Sequence, residues 1–138
     1  MLSLVFIMAT NYTDVLADYL VNLDKVISIE SDWKADAYNK KSKARGLGQI
    51  TPIALQDYNN LNPNDKYTYE QLDDPQINQK ITYWTLTERI PQMLRHFNVP
   101  VTTDNILWSY NAGIGRVVEG KLPEETRKYI QKYHALKE

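Results

Sequence analysis

The sequence predicts an all-α protein. Apolar residues recur at spacings of three and four along most of the chain, which is the repeat of one face of an α-helix. Asn-Gly and Asp-Gly, the dipeptides typical of tight β-hairpins, do not occur, and no internal repeat or low-complexity segment is visible. Capping residues and prolines then locate the individual helices.

The first predicted helix begins near Asn11, where Asn11 or Thr13 supplies the cap. Its apolar face consists of Val15, Leu16, Tyr19, Leu20, Leu23, Val26 and Ile27. Residues 39–45 are polar and basic, and they are predicted to form a loop that leads into the glycine-containing segment 46–49.

Thr51 as N-cap and Pro52 at the first helical position predict a second helix that ends near Tyr58. Residues 59–73 are rich in Asn, Asp, Tyr and Pro without a sustained repeat, so they are expected to form a long connection.

Asp74 and Pro75 predict the start of a third helix, and Pro91 is expected to kink or split it. The apolar series of this helix is Ile77, Ile81, Trp84, Leu86, Ile90, Leu94 and Phe97. Thr103 or Asp104 is predicted to cap a helix that contains residues 106–110. Interruptions of the helix are then expected at Gly113, Gly115 and Gly120. A last helix is predicted to begin at Pro123, with Glu124 and Glu125 in its first turn.

Composition limits the classes of function. The 138 residues, 43% of them hydrophobic, predict one globular domain over residues 1–138, with residues 1–10 as an apolar N-terminal extension. This extension is shorter than the roughly 20 residues that span a bilayer and lacks the basic start of a signal peptide, so we expect no stable membrane span. A net charge of -1 makes nucleic acid a poor partner, and the absence of cysteine excludes disulfides and thiolate chemistry. We expect a monomer without a cofactor.

Glu30 is a candidate catalytic acid. The period of the first helix, continued past Ile27, places Glu30 on the apolar stripe. Burial and the nearby helix C-terminus both disfavour a charged carboxylate, so we predict a raised pKa. A carboxylic acid that stays protonated near neutral pH can donate a proton to a glycosidic oxygen and later accept one. The alternative is that Glu30 lies past the helix end, with Ser31 and Asp32, as an ordinary exposed acid.

Three ordered motifs strengthen the case for Glu30. They are Glu30-Ser31 with Trp33 and Ala37, then Gly46-Leu47-Gly48-Gln49-Ile50-Thr51-Pro52, then Ser109-Tyr110-Asn111-Ala112-Gly113. With the closing segment 123–130, this series resembles the Slt-type lytic transglycosylases over about residues 14–133. Each motif alone is weak evidence, whereas their common order and spacing are specific.

The resemblance implies a lysozyme-like helical domain with a long active-site cleft. It implies cleavage of the β-1,4 bond between N-acetylmuramic acid and N-acetylglucosamine in peptidoglycan. Glu30 then protonates the leaving oxygen and deprotonates the muramyl C6 hydroxyl, which closes onto C1 to leave a 1,6-anhydro end. The 2-acetamido group is implied to stabilise the charge at C1, and no metal is involved. The implied substrate-binding residues are Gln49, Tyr110, Asn111, Tyr129, Ser42 and Thr51, although core packing remains an alternative for the two tyrosines.

The motifs depart from the family pattern at a few positions. Gly48 stands where the family usually has Met, and Thr51 where it often has another, so apolar contact with the substrate is expected to be reduced. The loop from Glu30 to Gly46 is one residue longer than the commonest spacing. Asn39 or Ser42 occupies the region of a family serine.

Two other functions are compatible with the fold class. Goose-type lysozyme shares the architecture but hydrolyses the bond, usually with help from further acids, and here no acid follows the second motif before Asp57. Asp32 and Asp36, the acids nearest to Glu30, are expected to lie at the surface, which favours one carboxylate with substrate assistance. A non-catalytic wall-binding module would use Lys40, Lys41, Lys43 and Arg45.

Two further enzyme classes lack support in the sequence. A metalloenzyme is disfavoured because His96 and His134 have no ligand-spaced partner, and a serine hydrolase because no Gly-x-Ser-x-Gly motif is present. The expected place of action is the bacterial cell wall, in the periplasm or outside the cell, including delivery by a phage.

Overall fold

The computed structural model describes residues 20–137, and the described chain is all-α, as predicted. A 3-10 helix, Glu70–Asp73, precedes the third α-helix, and a π-helical turn, Thr85–Arg89, follows it. The α-helices are α1 (Leu23–Ser31), α2 (Pro52–Leu61), α3 (Pro75–Trp84), α4 (Ile90–His96), α5 (Thr103–Ala112), α6 (Ile114–Glu119) and α7 (Glu124–Ala135). None of these described helices combines the length and apolar character needed to cross a bilayer.

The described residues form two compact units. One unit is residues 23–85, and the other combines residues 20–22 with residues 86–137. The single domain over residues 1–138 stays a prediction. The apolar extension and the start of the first predicted helix lie outside the described residues.

The unit of residues 23–85 is built on the two helix starts that the sequence predicts. Thr51 accepts a hydrogen bond from the amide of Ala54 at 3.2 Å, and Asp74 caps α3 by accepting from two amides. Pro52 and Pro75 follow these caps, where a missing N–H leaves no intrahelical bond unmade. The helices pack on a core of Ile50, Leu55, Tyr58, Leu72 and Ile81.

The predicted break near Pro91 is confirmed, and it is a π-helical turn that lies before the proline. The chain widens into the π-helical turn at residues 85–89 before α4 begins, and Pro91 lies in the first turn of α4. Proline has no N–H to donate to the preceding turn and its ring crowds the carbonyl four residues back, so the regular α-helix is interrupted upstream of it.

The second unit contains α4 to α7. Helix α5 packs against both α6 and α7, and Ile106 and Leu107 of α5 are fully buried. Trp108 fixes the turn after α6, because its indole N–H donates to the carbonyl of Lys121 at 2.9 Å. The last helix begins after Pro123 with an acidic first turn, as predicted.

The prediction of one continuous helix through Leu20 and Ile27 is wrong, because residues 21 and 22 are not helical. Leu20 is helical, but the chain leaves the helix there, and α1 starts afresh at Leu23. The carbonyl of Leu20 accepts from the hydroxyl of Thr103 at 2.7 Å, and the amide of Asn22 donates to the hydroxyl of Tyr133 at 2.8 Å. These distant side chains therefore bond backbone groups at the break.

Two local predictions in the second unit also need correction. The cap of α5 is Thr102, whose hydroxyl accepts from the amide of Asn105, and not Thr103 or Asp104. Gly113 and Gly120 end α5 and α6 with positive φ, as expected of glycine, whereas Gly115 lies inside α6.

Candidate active site

The candidate site residues are divided between the two units. Residues 23–85 contain Glu30, Ser42, Gln49 and Thr51, and the other unit contains Tyr110, Asn111 and Tyr129.

Glu30 lies in the last turn of α1 and is half-buried. Val26 and Ile27, four and three residues earlier, are fully buried, so Glu30 lies along the buried side of the helix. The alternative that Glu30 lies beyond the helix is wrong. No basic residue occupies the last turn of α1, where Glu30 lies at the negative end of the helix dipole. The raised pKa of Glu30 stays a prediction.

Helix α1 ends one residue after Glu30, at Ser31. The hydroxyl of Ser31 is buried and donates to the carbonyl of Ile27 at 3.1 Å, and the left-handed conformation of Asp32 and Trp33 then ends the helix. Asp32 and Asp36 are both exposed, as predicted. Neither is therefore a buried partner acid of the kind expected beside a catalytic carboxylate.

The loop between α1 and α2 is ordered by its own polar groups. The side chain of Asn39 accepts hydrogen bonds from the amides of Lys41 and Ser42, both at 3.0 Å. The hydroxyl of Ser42 in turn accepts from the amide of Ala44. Asn39 and Ser42 thus belong to one turn, in which Asn39 is the organising residue and Ser42 is exposed. Their roles toward a substrate stay predictions.

Gln49 is held in a strained conformation by its own side chain. Its φ of 53° lies in the left-handed region, which costs a non-glycine residue roughly 1 kcal/mol or more. The side-chain amide nitrogen donates to the carbonyls of Ala37 at 3.1 Å and Gly46 at 3.0 Å. Both N–H groups of the amide are therefore committed to the loop, and the oxygen Oε1 is the group left to meet a ligand.

Asn78 of α3 supports this loop through hydrogen bonds, and it was not among the residues predicted from the sequence. Its side chain is fully buried and donates to the carbonyls of Arg45 at 3.0 Å and Leu72 at 2.9 Å. Its oxygen accepts from the amide of Gly48 at 2.8 Å and from the hydroxyl of Thr82 at 3.1 Å. The available signal was an Asn and a Thr four residues apart on the helix that carries the apolar series, a pattern that suggests a buried polar pair.

Gly48 packs directly on this polar cluster. A Cβ at position 48 would lie 1.9 Å from the hydroxyl oxygen of Thr82, closer than any ordinary contact. The space that a side chain at position 48 would need is thus occupied by buried Thr82. The absence of Met at this position therefore has a packing explanation, and the reduced contact with the substrate stays a prediction.

The guanidinium of Arg45 is paired within the fold. It forms two hydrogen bonds to Asp73, at 2.8 and 2.7 Å, and lies 4.8 Å above the ring centre of Tyr69. The pairing raises the pKa of Arg45 and lowers the pKa of Asp73. One of the four cations named for the wall-binding alternative is therefore already in an ion pair.

The third motif lies at the end of α5. Asn111 is half-buried, and its oxygen Oδ1 accepts from the hydroxyl of Thr126 at 2.7 Å. Thr126 belongs to α7 and is almost fully buried, so this bond fixes the orientation of the Asn111 amide. Tyr129, one turn further along α7, is buried, while Tyr110 is half-buried.

The family assignment follows from a comparison with protein-family models. The model described as Transglycosylase SLT domain matches residues 7–132, which covers most of the chain. The chain belongs to this family. The suspected resemblance is thereby confirmed, and the SLT domain is expected to fold as an all-α, lysozyme-like domain and to act on peptidoglycan. No curated protein and no solved structure matches the chain at a significant level.

Proposed function

We propose that this SLT domain is a lytic transglycosylase with Glu30 as its single acid and base. The observation that carries the proposal is the position of Glu30 in the last turn of α1, half-buried beside fully buried Val26 and Ile27. A carboxyl group in such surroundings is suited to hold a proton near neutral pH. The exposure of Asp32 and Asp36 favours a mechanism that needs no second carboxylate.

The proposed reaction proceeds in two proton transfers. Glu30 donates its proton to the oxygen that leaves from C1 of N-acetylmuramic acid, and the C1–O bond breaks. The 2-acetamido oxygen of the same sugar stabilises the positive charge at C1. Glu30 then accepts the proton of the C6 hydroxyl, whose oxygen bonds to C1. The 1,6-anhydro ring closes without water, and Glu30 is protonated again.

The local bonds of two amides suggest what each offers to a sugar. Because both N–H groups of Gln49 bind the loop, Oε1 is proposed to accept from a sugar hydroxyl or N–H. Asn111 is proposed to do the reverse, since Thr126 donates to its oxygen and leaves the NH₂ group to donate. Tyr110 and Tyr129 are proposed as further substrate contacts. The half-buried ring of Tyr110 suits the C–H face of a sugar, whereas buried Tyr129 is proposed to contact the substrate through its hydroxyl group.

The remaining two candidates, Thr51 and Ser42, make hydrogen bonds that stabilise the local fold. Thr51 caps α2, and Ser42 lies in the Asn39 turn, so a substrate contact by either would be additional to these roles. We propose a monomer that acts on glycan strands in the periplasm or outside the cell, including after delivery by a phage.

The decisive experiment is mass spectrometry of the muropeptides released from purified peptidoglycan. The parent protein is expected to release products with 1,6-anhydromuramyl ends, and Glu30→Gln is expected to lower release by at least about a thousandfold, since it cannot transfer the proton. Asp32→Asn is the matched control, because it neutralises an exposed acid two residues away, and it is expected to stay active.

Each other outcome contradicts part of the proposal. Reducing ends, each one water heavier, would identify a goose-type lysozyme-like hydrolase. Equal release by Glu30→Gln and the parent would remove Glu30 from the mechanism. No release by the parent, with retained binding to peptidoglycan, would identify a binding module.

A further inference from the structure

A groove on the surface of the 23–85 unit lies beside α2 and is assigned no role by the proposed reaction. It has a volume of about 460 Å³, within the range of ordinary small-ligand sites. Its lining residues are Pro52, Leu55, Gln56, Asn59, Asn60, Lys66, Tyr67 and Tyr69. The groove thus combines two tyrosines, three side-chain amides and one cation.

The two tyrosines are fixed before any ligand arrives. The side chain of Asn59 binds both the carbonyl and the amide of Tyr67, at 2.8 and 3.0 Å. The hydroxyl of Tyr67 donates to Asp65 at 2.8 Å, and the hydroxyl of Tyr69 donates to the carbonyl of Lys43 at 2.7 Å. A rigid aromatic wall loses little conformational entropy when it binds, so these bonds favour ligand binding.

The rim of the groove offers polar groups that the fold does not use. Gln56 and Asn60 lie on the exposed side of α2, and Lys66 lies on the loop that follows it. Within residues 20–137, none of these three side chains makes a hydrogen bond or an ion pair. The neighbouring carboxylate of Asp65 is already bound to Lys80 at 2.7 Å, which leaves the charge of Lys66 uncompensated.

We propose that this groove is an accessory binding site for an N-acetylated amino sugar of the glycan strand that bears an acidic peptide stem. The tyrosine rings suit the C–H face of a pyranose, the amides of Gln56 and Asn60 suit its acetamido and hydroxyl groups, and Lys66 suits a carboxylate of the attached stem. The inference deepens the proposed function and rests on it, because it names a second point at which the same polymer is held.

The site is tested in the Glu30→Gln protein, so that no cleavage occurs. The probe is an intact disaccharide muropeptide whose peptide stem carries free carboxylates, added in an NMR titration of ¹⁵N-labelled protein. We expect shift changes at the side-chain amides of Gln56 and Asn60 and at the backbone of residues 66–69. In the same background, Gln56→Ala with Lys66→Ala is expected to weaken binding to insoluble peptidoglycan at least about fivefold, from one lost hydrogen bond and one lost charge.

Lys132→Gln is the matched control, because it removes an exposed cation from α7 in the other unit. It is expected to bind like the Glu30→Gln parent. Shift changes that spare the groove, or a groove variant that binds like the control, would overturn the inference. Neither result bears on the proposed reaction, because that reaction is tested by the products of the parent protein. If the parent released no anhydro products, the titration would still show whether the groove binds the muropeptide.

Discussion

Substitution of Gly48 by alanine tests how closely the loop that carries Gln49 is packed on α3. The added Cβ would lie 1.9 Å from Oγ1, 2.8 Å from Cγ2 and 2.9 Å from Cβ of Thr82. Ordinary contacts need about 3.5 Å, so the two groups must separate by roughly 1.5 Å. Thr82 cannot turn away freely, because a β-branched side chain in a helix has few allowed rotamers and its hydroxyl is bonded to Asn78.

The expected cost follows from these constraints. Overpacking of a buried site costs about 1–3 kcal/mol, and loss of the Thr82–Asn78 hydrogen bond adds about 1 kcal/mol. The lower entropy of an unfolded chain with alanine returns about 0.4–1 kcal/mol. We therefore expect Gly48→Ala to lower the free energy of unfolding by about 1–3.5 kcal/mol, a large part of the stability of a small domain.

The assay is urea denaturation followed by circular dichroism, in a double-mutant cycle with Thr82→Ala. Thr82→Ala alone is expected to cost about 1–2 kcal/mol, from a lost methyl group and a lost hydrogen bond. Because Thr82→Ala removes the two nearest atoms and leaves only the Cβ contact at 2.9 Å, the double variant is expected to be within about 1 kcal/mol of Thr82→Ala. Gly115→Ala is the control, since no atom lies within 4 Å of its added Cβ.

Additive effects in this cycle would refute the argument, because they would mean that Gly48 and Thr82 do not compete for the same space. A Gly48→Ala protein within about 0.5 kcal/mol of the parent would refute it as well. Loss of stability in Gly115→Ala would show that alanine is harmful at glycine positions for reasons other than contact.

Three further predictions concern side chains whose hydrogen bonds stabilise the two units. Hydrogen bonds from Lys80, Tyr58 and Tyr67 hold the pKa of Asp65 at about 2, below its ordinary value, so its contribution to stability is present above about pH 4 and is lost as pH falls toward 2. The melting temperature of Asp65→Asn should therefore be lower than that of the parent at pH 7, with a gap that narrows toward pH 2. Thr126→Val should lower kcat on peptidoglycan about tenfold by freeing the Asn111 amide, whereas Thr126→Ser should keep most activity; equal rates for both would remove this support from the mechanism. Thr51→Ala should cost about 1 kcal/mol in urea denaturation through loss of the α2 cap, and no change would show that the cap is unimportant.

Local chemistry accounts for what the sequence predicted correctly. The starts of α2 and α3 are given by a capping residue followed by proline, and both signals lie within a few residues of the feature that they predict. The position of Glu30 on the buried side of α1 follows from helical period alone. These predictions succeed because each depends on neighbours in the chain.

The features that the sequence did not predict depend on distant partners. The break at residues 21 and 22 is bonded by Thr103 and Tyr133, which lie 83 and 111 positions from Leu20 and Asn22. Asn78 binds Gly48 and Arg45, at separations of 30 and 33. Helical period and capping rules contain no information about such contacts.

The buried pair Asn78 and Thr82 also determines how the loop of residues 45–49 can be exchanged between related proteins. Residues 45–49 are bonded through one buried side chain to α3 and to the 3-10 helix, so the loop is not a separable insert. A graft that brings a larger residue at position 48 has to bring a smaller residue at position 82 with it. A graft that replaces Asn78 leaves the amide of Gly48 and the carbonyls of Arg45 and Leu72 without their present partner. The transferable unit is therefore the loop together with its supporting helix.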